Sequence, residues 1–246
     1  MKINKIFKEV VYKFRNCKID GSNIIKLPPN IKLVKNLKIV IKGSNNIIDL
    51  SQIKDIKHKS LIEIRGSNNK LILNSLETKG TGRFEIKIHG DFAKLIMQEN
   101  VSIDEGLYLF QSSNTQINIG ANTSFFKTTL QCIHADTTIN IGEDCMFSYD
   151  TWVYNSDGHP IVDKDNNITN KPKNINIGKH VWIGWSASIL KGVSIGDNSI
   201  IGRSAVVTKS NTEPNSIIAG NPAKAVKRLE GTWLREDINF LKPSLN

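Results

Sequence analysis

Long apolar runs are missing from this sequence of 246 residues. None approaches the roughly 18 to 20 consecutive apolar residues that a membrane-spanning helix needs. The opening stretch MKINKIFKEVVYKFRNCK is broken by charge throughout and lacks the apolar core of a secretory signal, so a cytoplasmic location is expected. Cysteine is scarce. Cys17, Cys132 and Cys145 are odd in number and widely separated, with no metal or redox spacing, and are expected to be reduced structural thiols. There is no zinc finger, basic recognition helix or aromatic RNA-binding box, so no nucleic-acid partner is expected. The formal net charge of +10 concentrates anions without naming them.

What is present is repetition. From Ile177 an apolar residue recurs at every sixth position, through Ile183, Ile189, Ile195, Ile201 and Val207. Smaller or β-branched residues stand two before each, and Gly follows at Gly178, Gly184, Gly196 and Gly202. A helix buries residues spaced three and four apart, so a period of six does not stay on one helical face. It suits a short strand and a tight turn, with Gly taking the positive φ of the turn. The register runs back through Val153, Phe147 and Ile141. A coarser period fills the first half: Gly43, Gly66, Gly90, Ser112 and His134 occupy equivalent places. Ile39, Ile62, Ile86, Tyr108 and Leu130 precede them by four, and Ile41, Ile64, Ile88, Phe110 and Cys132 by two. The predicted fold is an all-β, single-domain parallel β-helix over residues 21–228.

Two segments lie outside the repeats. Residues 1–20 space Ile3, Ile6, Phe7, Val10, Val11 and Phe14 as an amphipathic helix, expected to cap the first coil. Its basic face also suits peripheral membrane contact. Residues 229–246 are expected to form a short helical tail around Trp233, Leu234 and Phe240, ending near Pro243.

The register breaks once in the later coils. Val153 and Ile177 are 24 residues apart where six would suffice, so residues 155–174 protrude as a polar loop containing His159. Loops on rigid scaffolds are where catalytic groups tend to sit, although a lone loop histidine is ordinarily a solvated bystander. Alternation points Trp182 outward beside the inward Ile183, which suggests an interface or a ligand wall. His134 sits at a corner with two readings, structural or substrate-contacting. His58, His89 and His180 are expected on the surface.

The stretch INIGKHVWIGWSASILKGVSIGDNSIIGRSAVVTK, followed by IIAGNPAKAVKR, resembles the hexapeptide-repeat acetyltransferases of the galactoside and maltose branch. The preceding IGEDCMFSYDTWVYNSDGHPIVD is similar to bacterial capsule and lipopolysaccharide O-acetyltransferases. The resemblance covers roughly residues 139 to 228. It implies left-handed winding, a homotrimer with active sites between subunits, and acetyl-CoA lying along the coils, with no metal. It further implies that His159, within SDGHP, is the base that deprotonates a sugar hydroxyl, with a backbone N–H of a coil turn holding the oxyanion. Asp157 is the candidate to orient the imidazole, with Asp163 second and a backbone carbonyl as the alternative, and Trp182 joins them as a wall of the catalytic site. Cofactor contacts carry over to Gly184, Ser204, Ala205, Thr208, Lys209, Lys224 and Arg228. Arg203 and Lys227 add charge beside them, and Trp185 replaces the family's small residue. His134, Asp150 and Asn155 are candidates for acceptor binding.

The function so implied is O-acetylation of a sugar hydroxyl in a capsule, O-antigen or sialylated polysaccharide, the basic charge favouring an anionic acceptor. N-acetylation of a nucleotide-linked amino sugar is the alternative, although its usual N-terminal nucleotide-binding domain has no counterpart here. A β-helical carbonic anhydrase lacks its closely spaced His pair in this sequence. A noncatalytic scaffold is the remaining reading.

Overall fold

The computed structural model describes residues 18–236. Two ladders run along the molecule: a 15-stranded sheet, entered at Lys18–Ile19 and ending at Ala223–Arg228, and an 8-stranded sheet. All named strand pairs are parallel except Ser216–Gly220 with Ala223–Arg228. The solenoid follows from the apolar period. Ile141, Ile177 and Ile195 stack in register, as do Phe147, Ile183, Ile201 and Ile218, and Val153, Ile189 and Val207. These columns are buried and merge into one core that continues through Phe84 and Ile39.

Four expectations need correction. The later glycines do not supply the positive φ. That falls on the residue two further on, at Asp144, His180, Ser186, Asn198 and Ser204. Short polar side chains tolerate this conformation. Gly184 is needed instead for close approach, since a Cβ there would lie 2.6 Å from the Ile201 carbonyl oxygen.

The coarse repeat slips by one residue at one coil. Ile86 pairs with Leu109 and Ile88 with Gln111, which in turn pairs with Cys132. The core positions are therefore Leu109 and Gln111 rather than Tyr108 and Phe110, and Ser113 rather than Ser112 faces the Gly90 position. The slip was hidden because a glutamine occupies an inward place. Fully buried, Gln111 donates from Nε2 to the Lys94 carbonyl at 2.9 Å.

No α-helix occurs among the described residues, and the helical content there is a single 3-10 turn, Ile31–Val34. The expected N-terminal helix falls outside the described residues. The tail is irregular through Glu236, and Trp233 is buried rather than part of a helix. His58, expected on the surface, is also buried.

The KGSNN and RGSNN copies acquire a physical cause. The second Asn of each, Asn46 and Asn69, is buried, and Asn69 Nδ2 donates to Asn46 Oδ1 at 2.9 Å and to the Gly90 carbonyl. This ladder satisfies corner carbonyls that would otherwise be desolvated without a partner.

Cys132 and Cys145 are free and buried, and burial pushes their thiols up to about 11 and about 12. Thiolate is the reactive form. In native protein at pH 8, neither should react with a thiol reagent, whereas both should titrate after denaturation. Rapid labelling of either by mass spectrometry would contradict this packing.

Candidate active site

The strands Met146–Tyr154, Trp182–Ile183 and Ile200–Ile201 lie side by side. Alternation sends Phe147, Ile183 and Ile201 into the core and leaves Met146, Ser148, Trp182 and Ile200 on the outer face. With the corner residues Tyr149, Trp185 and Arg203, they line a cavity of about 470 Å³. Trp182 Nε1 donates to Ser148 Oγ at 3.1 Å, which fixes the indole as a wall. At the corner, Tyr149 and Trp185 pack with centroids 5.0 Å apart, and the Arg203 guanidinium lies 5.3 Å from the Trp185 ring. A cation against an aromatic face is held without a counter-ion and stays available to an anionic ligand. The backbone N–H groups of Trp185 and Arg203 have no partner among the described residues, while those of Ser186 and Ser204 donate to Tyr149 and Trp185 carbonyls.

The protruding loop is anchored at its base by Asn155. This residue is fully buried and donates from Nδ2 to Thr137 Oγ1 at 2.6 Å. Its Oδ1 accepts from the Ile133 N–H at 3.2 Å. These bonds engage both polar atoms of the Asn155 side chain within the chain itself. Asn170 ties the loop together, donating to Asp157 Oδ2 at 2.9 Å and to the His159 carbonyl at 2.8 Å. Asp157 also takes a hydrogen bond and ion pair from Lys191, and these partners hold its carboxyl below the usual carboxylate range. Among the described residues, Asp157 makes no hydrogen bond to the His159 imidazole. It acts on the His159 backbone through Asn170. Asp163 is occupied within its own turn, accepting at Oδ1 from the Asp165 and Asn167 N–H groups, both at 2.9 Å. The His159 side chain is exposed.

The other expected site residues disperse. The pocket brings together Trp182, Gly184, Trp185 and Arg203. Ser204 stands next at the corner with φ 56°, and Asp150 holds the equivalent place two coils earlier, where its Oδ1 is 2.7 Å from Lys127 Nζ. Ala205 is buried in the core and its N–H donates to the Gly202 carbonyl. Thr208 and Lys209 are exposed at the following corner. Lys224, Lys227 and Arg228 are exposed on the antiparallel final strand. His134 is half-buried, with Nδ1 enclosed and unpartnered, which agrees with the corner reading better than with acceptor contact. Among the described residues, no group of three or more His, Cys, Asp and Glu is arranged to hold a metal ion.

Sequence reasoning missed Tyr149 and the strap that backs the pocket. Alternation from Phe147 would have put Met146 and Ser148 outward, but nothing in the period marks the corner aromatic. The strap is Thr232–Arg235. Trp233 stacks on His180 with ring centroids 4.1 Å apart and donates from Nε1 to the His180 carbonyl. Its ring lies 6.1 Å from that of Trp182. Arg235 reaches Asp144 Oδ1 at 2.7 Å, Ser124 Oγ, and the Asn122 and Cys145 carbonyls, stitching successive coils.

The six-residue period and the stacked coils it builds are those of the hexapeptide-repeat transferases. Residues 174–209 match the family described as bacterial transferase hexapeptide, six repeats. The polysialic acid O-acetyltransferase of Neisseria meningitidis is 34% identical over 152 residues, covering 61% of this chain and 68% of that protein. The galactoside O-acetyltransferase of Escherichia coli K12 is 34% identical over 134 residues, 53% of this chain and 62% of that protein, under two thirds of its length. The crystal structure of a polySia-specific acetyltransferase is similar at TM-score 0.67 and 26% identity, with 92% of each chain covered. This chain belongs to the hexapeptide-repeat acetyltransferases and is related to their polysialic acid and galactoside O-acetyltransferases.

Proposed function

We propose that the protein transfers the acetyl group of acetyl-CoA to a hydroxyl of an anionic bacterial surface glycan, with His159 as general base. The reading rests on the likeness to a polySia-specific acetyltransferase along 92% of the chain. The pocket supports it. Phe126, Met146 and Ile200 suit the apolar stretches of the donor's arm, and Arg203 suits its phosphates. His159 would take the hydroxyl proton as the oxygen attacks the thioester carbonyl. The unpartnered Trp185 and Arg203 N–H groups are candidates to receive the oxyanion. The C–S bond then breaks, and the imidazolium returns its proton to the departing thiolate.

His159 is not among the residues lining the pocket. Its loop leaves the corner after Tyr154, whereas the pocket sits at the corner of Tyr149, one strand segment earlier in the coil. A second copy of the chain would supply the missing half, in a homotrimer with its sites between subunits. Ile161, Val162 and Ile168, 60%, 50% and 49% exposed on the loop, suit a neighbour's surface.

The test follows free thiol from acetyl-CoA with polysialic acid, a neutral glycan and a nucleotide-linked amino sugar as acceptors. Thiol release with polysialic acid, and acetyl groups labile to mild alkali, are expected. Alkali-stable acetylation of the amino sugar alone would overturn the O-acetyl assignment.

A further inference from the structure

The charge of the chain is segregated along the sequence. Residues 1–65 hold 15 Lys and Arg against 5 Asp and Glu, whereas residues 66–246 hold 18 of each. Of these, residues 18–65 on the early coils, away from the coils that build the pocket, hold 10 Lys and Arg against 4 Asp and Glu. On the early coils Lys35, Asn36, Lys38, Lys59, Leu61 and Arg83 line a groove of about 330 Å³. Arg83 bonds Glu85, but Lys35, Lys38 and Lys59 have no carboxylate partner among the described residues.

Register shows how these cations are arrayed. Leu37 pairs with Ser60 and Ser60 with Phe84, so the groove crosses three successive coils, about 4.8 Å apart. The same edge leads to the pocket. Arg83 pairs with Gly106, Gly106 with Lys127, and Lys127 with Tyr149, which packs on Trp185. Five strand steps separate Ser60–Arg65 from Trp182–Ile183, a distance of about 24 Å. The row of cations stops at Arg83, because Asp104 and Glu105 bulge out beside Gly80 and Gly82 and Lys127 is neutralised by Asp150.

We propose that this groove is a docking subsite for an extended polyanionic glycan, engaged remote from the point of acetyl transfer. A small anion would meet one or two of these lysines, whereas a polymer with a carboxylate on each repeating unit meets them in sequence. The groove carries no aromatic side chain on which nucleic-acid bases could stack. Nor does it expose a large apolar residue for insertion into a membrane. The subsite rests on the reading of the protein as a glycan acetyltransferase, yet its occupancy is measurable without turnover.

The test is binding of fluorescein-labelled polysialic acid, in long and short chains, to the full-length protein and to the K35E/K38E/K59E variant. A K35Q/K38Q/K59Q variant of matched thermal midpoint separates charge from folding. Wild-type affinity for the long chain is expected to weaken with salt, and charge reversal to lower it by roughly tenfold to a hundredfold. In the thiol-release assay, KM for long chains should rise, with kcat and the response to short acceptors unchanged. Unchanged affinity in both variants would overturn the subsite. So would lysine-dependent binding of phosphatidylserine vesicles or duplex DNA by a protein that ignores polysialic acid. Charge-dependent glycan binding without any acetyl transfer would leave the subsite standing and remove the enzymatic reading alone.

Discussion

Replacing His159 with Ala is expected to lower the rate of acetyl transfer by about a hundredfold to ten-thousandfold, the usual worth of a positioned acid–base group. The effect should appear in kcat, with the apparent KM for acetyl-CoA little changed, because His159 is not among the residues lining the pocket. The fold should tolerate the change. His159 is exposed, and what ties it to the loop is its backbone carbonyl, held by Asn170 at 2.8 Å, which Ala retains. The thermal midpoint should therefore match the wild type while steady-state thiol release collapses. Release within tenfold of wild type, with the correct acceptor, would remove His159 from the chemistry. A normal rate in His159→Gln would do the same, since an amide cannot accept the proton.

The columns of the solenoid were legible in the sequence because each inward place is filled by a residue whose burial is favourable wherever its coil stacks. Ile183 over Phe147 and Ile189 over Val153 need no detail beyond period. Gln111 was illegible for the same reason. Its fit depends on a hydrogen bond to a carbonyl brought near by the fold, which no local pattern encodes. The site divided in the same way. Trp182 follows from alternation and the loop from a break in register. Tyr149 meets Trp185 only because their coils stack, although 36 sequence positions separate them. Proximity of Asp157 to His159 in sequence says nothing of Lys191, which reaches the carboxylate from another coil. The strap was unreadable from period altogether, since Trp233 and Arg235 belong to no repeat.

That strap carries the second large effect. Trp233 is 5% exposed, stacked on His180 and packed toward Trp182, so Trp233→Ala removes a buried aromatic and a hydrogen bond together. Truncation of this kind costs about 3 kcal/mol or more, which is a shift of more than about a hundredfold in the docking of the strap. Hydrogen exchange of residues 230–236 should accelerate accordingly, and Trp182, losing its backing, should weaken acetyl-CoA binding. Acid should produce a related release in the wild type. Burial alone would raise the Asp144 carboxyl, but Arg235 and His180 outweigh it and hold it below the usual range. A carboxyl depressed in the folded state stabilises docking above its ordinary value, and that stabilisation is lost as pH falls through the folded one. Exchange in the strap should therefore rise on acidification below the ordinary carboxylate range. Asp144→Asn, already lacking the charge, should flatten that acid dependence. If the strap amides exchange equally fast in wild type and Trp233→Ala at neutral pH, the aromatic stack does not hold the strap, and Trp182 must be fixed by Ser148 alone.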